Sequence, residues 1–441
     1  MSGLLLDAVG TTEPLAEVFS DASVLAAMLR FEVALARAEA QVGVIPAACA
    51  EAIARAAVPD AFDLASIARH ARSSGTVAIS FVEMLTARVR AGDPEGAAFV
   101  HRGATSQDVT DTAMILCLSR ARPILEAHHH GIAAALRRLS DQHAGTTMLG
   151  RTLLQAAPPI TFGLKVAGWL AACTRGWARV ASRFDDAMVL QLGGAAGTLA
   201  SLGARGLDVS SELARELGLS NPDAPWHAHR DRLAALVAAC GIYTGTLGKI
   251  ARDVSLLMQT EVGEAAEPGG GSSAMPHKRN PAGCAIALAA ATRVPGLVAS
   301  FLSGMAQEHE RGLGGGHAEG PTIAAVVQAT GAALAAVQDI AEHLVVDPDR
   351  MRANISATNG VVFAERVMAL LIPATGRDEA RRLVGLAIDP QQRGGRTFAE
   401  AVAAIPEIVR VLPPEEIASL DVPEAYLGVA EALRQRLLAA Q

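Results

Sequence analysis

The chain has few aromatic residues, and its cysteines are not spaced in pairs. Aromatic residues make up 3% of its 441 residues, whereas hydrophobic residues make up 51%. Its buried surface must therefore consist mostly of Ala, Leu and Val, which suits close packing of helices. The cysteine positions argue against a disulfide framework or a zinc site, and we expect a reduced, cytoplasmic protein without metal or other cofactor. The five cysteines are Cys49, Cys117, Cys173, Cys240 and Cys284.

An excess of positive charge is also missing. The chain has 38 Lys and Arg against 45 Asp and Glu, a formal net charge of −7, which argues against nucleic acid as the main partner. Long apolar runs are lacking too, because the stretch 282–291 is soon followed by Arg293 and is shorter than the ~20 residues of a membrane span. The first ten residues have neither the basic start nor the full apolar run of a signal peptide. We therefore expect no membrane partner.

Strand patterns are scarce, and helical periodicity dominates the chain. Five segments carry this periodicity and are far longer than the ~11–12 residues of an average globular helix. Pro123 is expected to kink the first of them. We predict an all-α protein with an N-terminal helical domain (1–100), a central bundle of long helices (101–345) and a C-terminal helical domain (346–441). The five long segments are 109–144, 161–190, 230–263, 282–308 and 321–345.

The run GGGSSAMPHKRNP, residues 269–281, is the most informative part of the chain. Its three glycines give a backbone that can approach a ligand closely. A serine pair that begins with Ser272, the cations Lys278 and Arg279, and the amide of Asn280 come just before an apolar helix. A loop with a hydroxyl and an ammonium group at a helix N-terminus can hold a small anion and move a proton beside it. The alternative for its first five residues is a plain flexible loop.

Two further loops of similar character each precede a long helix. They are HRGATSQDVTDTA (101–113) and TTMLGRTLLQAAPPITFG (146–163), in which Pro158-Pro159 are expected to open the helix. Asp108 is interpreted equally well as a helix cap, and the second loop as a solvated turn. In the segment QEHERGLGGGH (307–317), Arg311 either reaches a carboxylate or lies at an ordinary exposed helix end. The candidate polar residues of the two loops are His101, Arg102, Thr105, Ser106, Gln107, Asp108, Arg151, Thr152 and Gln155.

Cations placed at helix starts in a chain of net negative charge fit a polycarboxylate ligand. The run GSSAMPHKRNP (271–281) resembles the signature of the fumarase/aspartase superfamily, and HRGATSQDVTDTA and GRTLLQ resemble its other two shared regions. This resemblance covers essentially the whole chain. It implies a three-domain all-α fold, a homotetramer with a twenty-helix core, and active sites that take their loops from different subunits.

The resemblance also implies residue roles. Ser272 would transfer the catalytic proton, and a set of polar residues would bind the substrate. This binding set includes the cations His101 and Arg311, which we infer from the chemistry of their loops. It consists of Lys278, Asn280, Thr105, Ser106, His101, Arg151, Thr152, Gln155 and Arg311.

Two departures from the superfamily pattern bear on the reaction. Lyases such as fumarase have His after Gly-Arg-Thr and Glu five residues after the signature Asn, whereas this chain has Leu153 and Ala285. Expelling an amine or hydroxide usually requires a general acid, but a carboxylate leaves unaided because its conjugate acid has a pKa of ~4. The branch with an internal carboxylate as leaving group comprises the carboxymuconate cycloisomerases. At three further positions this chain differs from the residues that are common in that branch: His229, Gly316 and Gly320.

The resemblance therefore predicts an enzyme that converts 3-carboxy-cis,cis-muconate to a carboxymuconolactone in protocatechuate breakdown. Ser272 would donate a proton in the lactonising direction and accept it in the reverse direction. Two alternatives remain open. One is an adenylosuccinate lyase-like or other fumarate-releasing lyase, and the other is a non-catalytic structural protein with the same fold.

Overall fold

The computed structural model describes residues 4–439, most of which are helical. The prediction of an all-α fold is confirmed. The α-helices are α1 Leu4–Asp7, α2 Glu13–Val18, α3 Asp21–Val42, α4 Ala47–Ala56, α5 Leu64–Ser74, α6 Val77–Gly92, α7 Ser106–Gln142, α8 Phe162–Ala187, α9 Gly206–Leu217, α10 Asp231–Leu257, α11 Ala282–Ser303, α12 Gly315–His343, α13 Pro348–Ser356, α14 Ala364–Thr375, α15 Arg377–Ile388, α16 Pro390–Arg393, α17 Phe398–Ala403, α18 Pro406–Val409, α19 Pro414–Ala418 and α20 Ala430–Ala439.

The five predicted long helices correspond to α7, α8, α10, α11 and α12, with shifted ends. α7 begins at Ser106, three residues before the predicted start, because Thr105 and Asp108 cap its first turn. Pro123 lies inside α7 without ending it. α11 ends at Ser303, so the following segment up to Gly314 is a loop. The earlier end of α11 places Arg311 in this loop and not on a helix.

The loop that was expected before α8 is a β-hairpin. Strands β1 (Thr147–Thr152) and β2 (Gln155–Thr161) pair antiparallel, with an irregular register between Leu149 and Gly150. The expectation that Pro158-Pro159 open the helix is therefore wrong, because both prolines lie in β2 and α8 begins at Phe162. A proline is tolerated here because a two-stranded ribbon leaves each strand one free edge. A second small pair joins β3 (Ala265–Ala266) to β4 (Val345–Val346).

The described residues form two compact units. The first contains the residues up to His129 together with Arg175–Gly248 and Ile286–Ala336. Here α10 approaches α11 closely, since a Cβ on Gly241 would lie 2.8 Å from Val298 and one on Gly248 would lie 2.5 Å from Ala291. This contact is of the close helix–helix type expected from a core of small residues.

The second unit contains His130–Thr174, Lys249–Ala285 and the described residues from Val337 onward. Its C-terminal part has an apolar core of its own, in which α14, α15 and α17 supply most of the side chains. The predicted boundaries at residues 100 and 345 stay a prediction. The largest members of this core are Phe363, Leu371, Leu383, Phe398, Ile408, Leu412, Ile417 and Leu420.

Within the described residues, three helices have the length and composition of a membrane span, so the expectation that no such segment exists is wrong. The single charge of Arg293 does not lower the mean hydropathy of α11 enough to exclude α11 as a candidate span. In α10 and α12, 61% of the apolar window is buried inside the protein. In α11 only 22% is buried, so α11 presents an apolar face that the chain itself leaves uncovered.

Candidate active site

The signature loop is closed at its base by two backbone hydrogen bonds. Gly270 N–H donates to Asn280 O at 2.9 Å, and Asn280 N–H donates to Gly270 O at 2.7 Å. The neighbouring Gly269 has no space for a side chain, because a Cβ there would lie 2.7 Å from Asn280 O. The glycines therefore allow the two ends of the loop to meet, while residues 271–279 project as one excursion of the backbone.

Within this loop, Ser272 Oγ accepts hydrogen bonds from two backbone groups. Met275 N–H donates at 3.1 Å and Ala274 N–H at 3.4 Å. Both bonds are directed at the atom that would carry negative charge after loss of its proton. Because hydrogen bonds to an ionised oxygen are about twice as strong as neutral ones, they favour the Ser272 alkoxide. The arrangement suits a serine that gives and takes a proton.

Lys278 and Asn280 take different positions in the same loop. Asn280 Nδ2 donates to Gly271 O at 3.1 Å, which fixes its amide against the loop backbone. The side chains of Lys278 and Arg279 are exposed. Within residues 4–439, neither forms an ion pair with a carboxylate of the chain. Both cations are therefore available to an anionic ligand.

The N-terminus of α11 is already occupied by a carboxylate of the chain. Glu267, which is 2% exposed, accepts from Gly283 N–H at 2.8 Å and from Cys284 N–H at 3.1 Å. The expectation that this helix N-terminus binds the substrate anion is therefore wrong, because its free N–H groups are satisfied by Glu267. The sequence does not reveal that Glu267 caps α11, because Glu267 comes before the glycine-rich run and belongs to no recognisable cap sequence.

Arg151 lies in strand β1, not at a helix start, and forms an ion pair. Its guanidinium donates to both oxygens of Glu264, at 2.8 Å and 2.6 Å, and Glu264 is fully buried. Asn354 Nδ2 also donates to Glu264, at 2.8 Å. Thr152 and Gln155 are exposed and face each other across the end of the hairpin. The structure therefore gives Arg151 a structural partner that the sequence pattern did not indicate.

Leu153 and Leu154 form the two-residue turn of this hairpin. Their φ angles are 49° and 65°, as in a type I′ turn, which normally takes Asn or Gly because bulky side chains are strained there. Leu153 is 97% exposed and Leu154 is 76% exposed. The residue in the position of the superfamily His is thus an unburied leucine, and Ala285 is also exposed, on α11.

The first unit contains a cluster of one cation and two hydroxyls. Arg311 Nη1 donates to Thr105 Oγ1 at 2.7 Å, and its Nη2 donates to Ser106 Oγ at 3.0 Å. Its Nε donates to Gln107 Oε1 at 3.3 Å. Arg311 is therefore not part of an exposed helix end. Two predicted carboxylate-binding hydroxyls therefore lie in hydrogen-bond contact with a guanidinium at the N-terminus of α7, a combination of groups that favours anions.

Asp108 fixes the backbone around this cluster. It is fully buried, and its carboxylate accepts from the N–H groups of Thr105, Gly193 and Gly194 at 2.9–3.0 Å. His227 Nε2 lies 2.6 Å from its Oδ1. The interpretation of Asp108 as a helix cap is confirmed, and the same carboxylate also holds the segment after α8.

A buried ionic network lies beside the cluster. Arg230 donates to both oxygens of Asp111, at 2.8 and 2.9 Å, and to Glu319 Oε2 at 2.6 Å. Gln107 Nε2 donates to Asp111 Oδ2 at 3.2 Å, so the network contacts the amide that supports Arg311. Sequence reasoning missed this set, although Asp111 stands in the same motif as Thr105.

His101 is the remaining predicted ligand residue. Its Nδ1 lies 2.6 Å from Oε1 of Glu32, which is 1% exposed. Burial favours the neutral ring, but the carboxylates of Glu32 and Asp108 outweigh it and raise the pKa of His101. Glu32 and the equally buried Glu39 are seven residues apart on α3, and this spacing of acids within an apolar helix is the signal that could have revealed them.

The fold and these loops define a class, the fumarase/aspartase superfamily, and comparison with known proteins agrees. The profile described as lyase matches residues 7–296, and that described as adenylosuccinate lyase C-terminus matches residues 360–437. The chain belongs to the lyase family.

Individual relatives are similar over nearly their whole length. A 3-carboxy-cis,cis-muconate cycloisomerase of Bradyrhizobium diazoefficiens is 47% identical over 95% of this chain and 94% of the relative. A nitrosuccinate lyase of Streptomyces davaonensis is 42% identical over 98% of this chain and 94% of the relative. The crystal structure of 3-carboxy-cis,cis-muconate lactonizing enzyme from Pseudomonas putida superposes with a TM-score of 0.93 at 41% identity, covering 99% of this chain and 98% of that one.

Proposed function

We propose that the protein is a cycloisomerase that converts 3-carboxy-cis,cis-muconate to a carboxymuconolactone in protocatechuate breakdown. The observation that carries this proposal is the combination of an intact signature loop with the absence of the superfamily His–Glu pair from its usual positions. The loop with Ser272, Lys278 and Asn280 is intact, whereas the positions of the superfamily His–Glu pair hold Leu153 and Ala285. Such a site keeps a proton-transfer group and lacks the acid that a poor leaving group needs. The similarity to curated cycloisomerases supports the same assignment.

In the lactonising direction one substrate carboxylate adds across the conjugated double bond, and Ser272 delivers a proton to the neighbouring carbon. In the reverse direction Ser272 removes that proton, which is α to a carboxylate, and the ring opens. The N–H groups of Ala274 and Met275 stabilise the alkoxide. Lys278 and Asn280 stabilise the negative charge that develops on the carboxylate next to the reacting carbon.

A second substrate carboxylate is bound by Arg311, Thr105 and Ser106. The three groups already converge through hydrogen bonds of 2.7 and 3.0 Å. A planar guanidinium binds a carboxylate through two parallel bonds and so fixes its orientation as well as its position. Orientation is important here because the attacking carboxylate must reach one carbon of a flexible diene.

A second candidate reaction is elimination of nitrite from nitrosuccinate, favoured by the relative of that name. Nitrite, like carboxylate, is the anion of an acid and leaves without a general acid. Leu153 and Ala285, at the positions of the superfamily His–Glu pair, thus argue against an amine or hydroxide leaving group. They do not distinguish the cycloisomerase reaction from nitrite elimination.

The substrate assay separates the candidates. We expect the purified protein to turn over 3-carboxy-cis,cis-muconate catalytically, at a rate ordinary for a metabolic enzyme. The reaction is followed as the loss of the ultraviolet absorbance of the diene. Nitrosuccinate, adenylosuccinate and argininosuccinate are tested in parallel for fumarate release. Turnover of one of these without turnover of the muconate would reject the cycloisomerase, and inactivity on all four would favour a structural protein.

We also propose a cytoplasmic homotetramer whose active sites combine loops of different subunits. The uncovered face of α11 supports assembly, since most of its exposed residues are small, and a row of them at intervals of three or four positions permits close approach of another helix. This row consists of Ala282, Ala285, Ala289, Thr292, Gly296, Ala299 and Ser303.

Shared sites predict complementation between inactive variants. Ser272→Ala and Arg311→Ala should each be inactive, because each removes one half of the site. If one subunit supplies Ser272 and another supplies Arg311, then unfolding and refolding the two variants together restores about one quarter of the wild-type activity, as random mixing in a symmetric oligomer requires. Light scattering should give the mass of four chains. A mixture that stays inactive while tetrameric would show that both residues come from one chain.

A further inference from the structure

An acidic pair on α3 lies beside His101. Glu32 Oε1 lies 2.6 Å from His101 Nδ1, and Glu32 is 1% exposed. A carboxylate can only accept a hydrogen bond, so Nδ1 carries the proton. Glu32 Oε2 has no hydrogen-bond partner within the described residues. The interaction with His101 is thus the main compensation for burying this carboxylate.

Glu39 lies two helical turns further along the same face of α3. It is fully buried, and neither of its carboxylate oxygens has a hydrogen-bond partner in the described part of the chain. Burial raises the pKa of Glu39 to about 8, with Arg102 opposing this shift and Glu32 adding to it. Glu39 is therefore mostly a neutral acid at pH 7, and Glu32 is the acidic group in contact with His101.

His101 is held where its second nitrogen remains available. Its φ of 58° is left-handed, an unfavourable conformation that surrounding contacts must maintain. Its side chain is 16% exposed, and among residues 4–439 its Nε2 has no hydrogen-bond partner. The charged and titratable groups around the pair are Glu32 and Glu39 from α3, Arg102 from the connecting loop, and Asp108 from α7.

We propose that Glu32 is a positioning residue that keeps His101 as an imidazolium, with Nε2–H left as a donor to a substrate carboxylate. The proposal rests on the proposed function, because it assigns the Glu32–His101 pair to the same polycarboxylate site. His101 comes four residues before Thr105, so it would add a charge to the Arg311 cluster. The chain thus has Leu153 and Ala285 at the positions of the superfamily His–Glu pair but has a different His–Glu pair, to which we assign anion binding.

The test is a titration of His101 in Glu32→Gln, a substitution that removes the charge and keeps the shape. We expect the His101 ring, followed by NMR and assigned with His101→Gln, to titrate about one pH unit or more lower in Glu32→Gln than in the wild type. Loss of the imidazolium should raise KM for the muconate about tenfold at a pH between the measured pKa values of the two rings, a loss typical of one charged contact, with a smaller change in kcat. At a pH below the measured pKa of the ring in both proteins, the KM values should converge.

Glu39→Gln is the matched control, because it also changes a buried acid of α3 but mimics the neutral form that Glu39 already has. We expect it to leave the His101 titration and KM unchanged. An equal rise in KM at both pH values, or an unshifted ring titration in Glu32→Gln, would overturn the proposal. If Glu32→Gln does not fold, the wild type still decides, since a His101 ring that titrates at or below its ordinary pKa contradicts it. A wild type that titrates as expected but does not act on the muconate would reject the proposed function alone.

Discussion

Ser272→Ala is expected to lower kcat for the muconate about 10³-fold, within the range that a positioned proton-transfer group contributes. The substitution removes the hydroxyl to which the Ala274 and Met275 N–H groups donate. Substrate binding should change little, because Lys278, Asn280 and the Arg311 cluster are unaffected. The measurement is steady-state kinetics on the diene absorbance, with circular dichroism to show that the fold is kept.

The neighbouring Ser273 supplies the control for this experiment. It is exposed and carries the same functional group one residue further along the loop. We expect Ser273→Ala to keep kcat within about threefold of the wild type, since surface substitutions away from specific contacts have small effects. Equal losses in the two variants would mean that loop conformation, and not the Ser272 hydroxyl, limits the reaction.

Arg151→Met is expected to lower the free energy of unfolding by about 3 kcal/mol, the lower end of the range for breaking a buried ion pair. The Arg151 side chain is 27% exposed, but Glu264 is fully buried and would keep only the hydrogen bond from Asn354. Methionine keeps an unbranched apolar stem in place of the aliphatic part of arginine, so most of the loss reflects the unpaired carboxylate. Urea unfolding at constant pH measures it.

Arg279→Met provides a comparison of the same chemistry at an exposed site without an ion pair, and should change stability by less than about 0.5 kcal/mol. The two variants also separate two roles of Arg151. A residue that only binds substrate would leave stability unchanged and raise KM. Stability equal to wild type in Arg151→Met would therefore contradict the structural role of the Arg151–Glu264 pair.

The sequence predicted the long helices and the loops between them, because both depend on local patterns. Helical periodicity and cap residues act within a few positions, so α7, α8, α10, α11 and α12 were found with small errors at their ends. The hairpin of β1 and β2 was missed because its turn, Leu153-Leu154, has none of the Gly or Asn signals of a two-residue turn.

The partners of the polar residues could not be predicted in the same way. Glu264 with Arg151, Glu32 with His101, and Thr105 with Arg311 are separated by 113, 69 and 206 positions in the chain. No local pattern links residues so far apart. The charged residues themselves were visible, but whether each was free for a ligand or neutralised by the protein was not.

By itself the sequence determined the all-α fold, the superfamily, and the type of chemistry that Ser272, Lys278 and the missing His–Glu pair allow. Only the tertiary structure decided which charges are available. In the folded chain Glu267 caps the N-terminus of α11, Arg151 forms an ion pair with Glu264, and Lys278 is exposed. The physical reason is that a buried charge must be compensated by a nearby group, and which group is nearby is set by packing of distant segments and not by order along the chain.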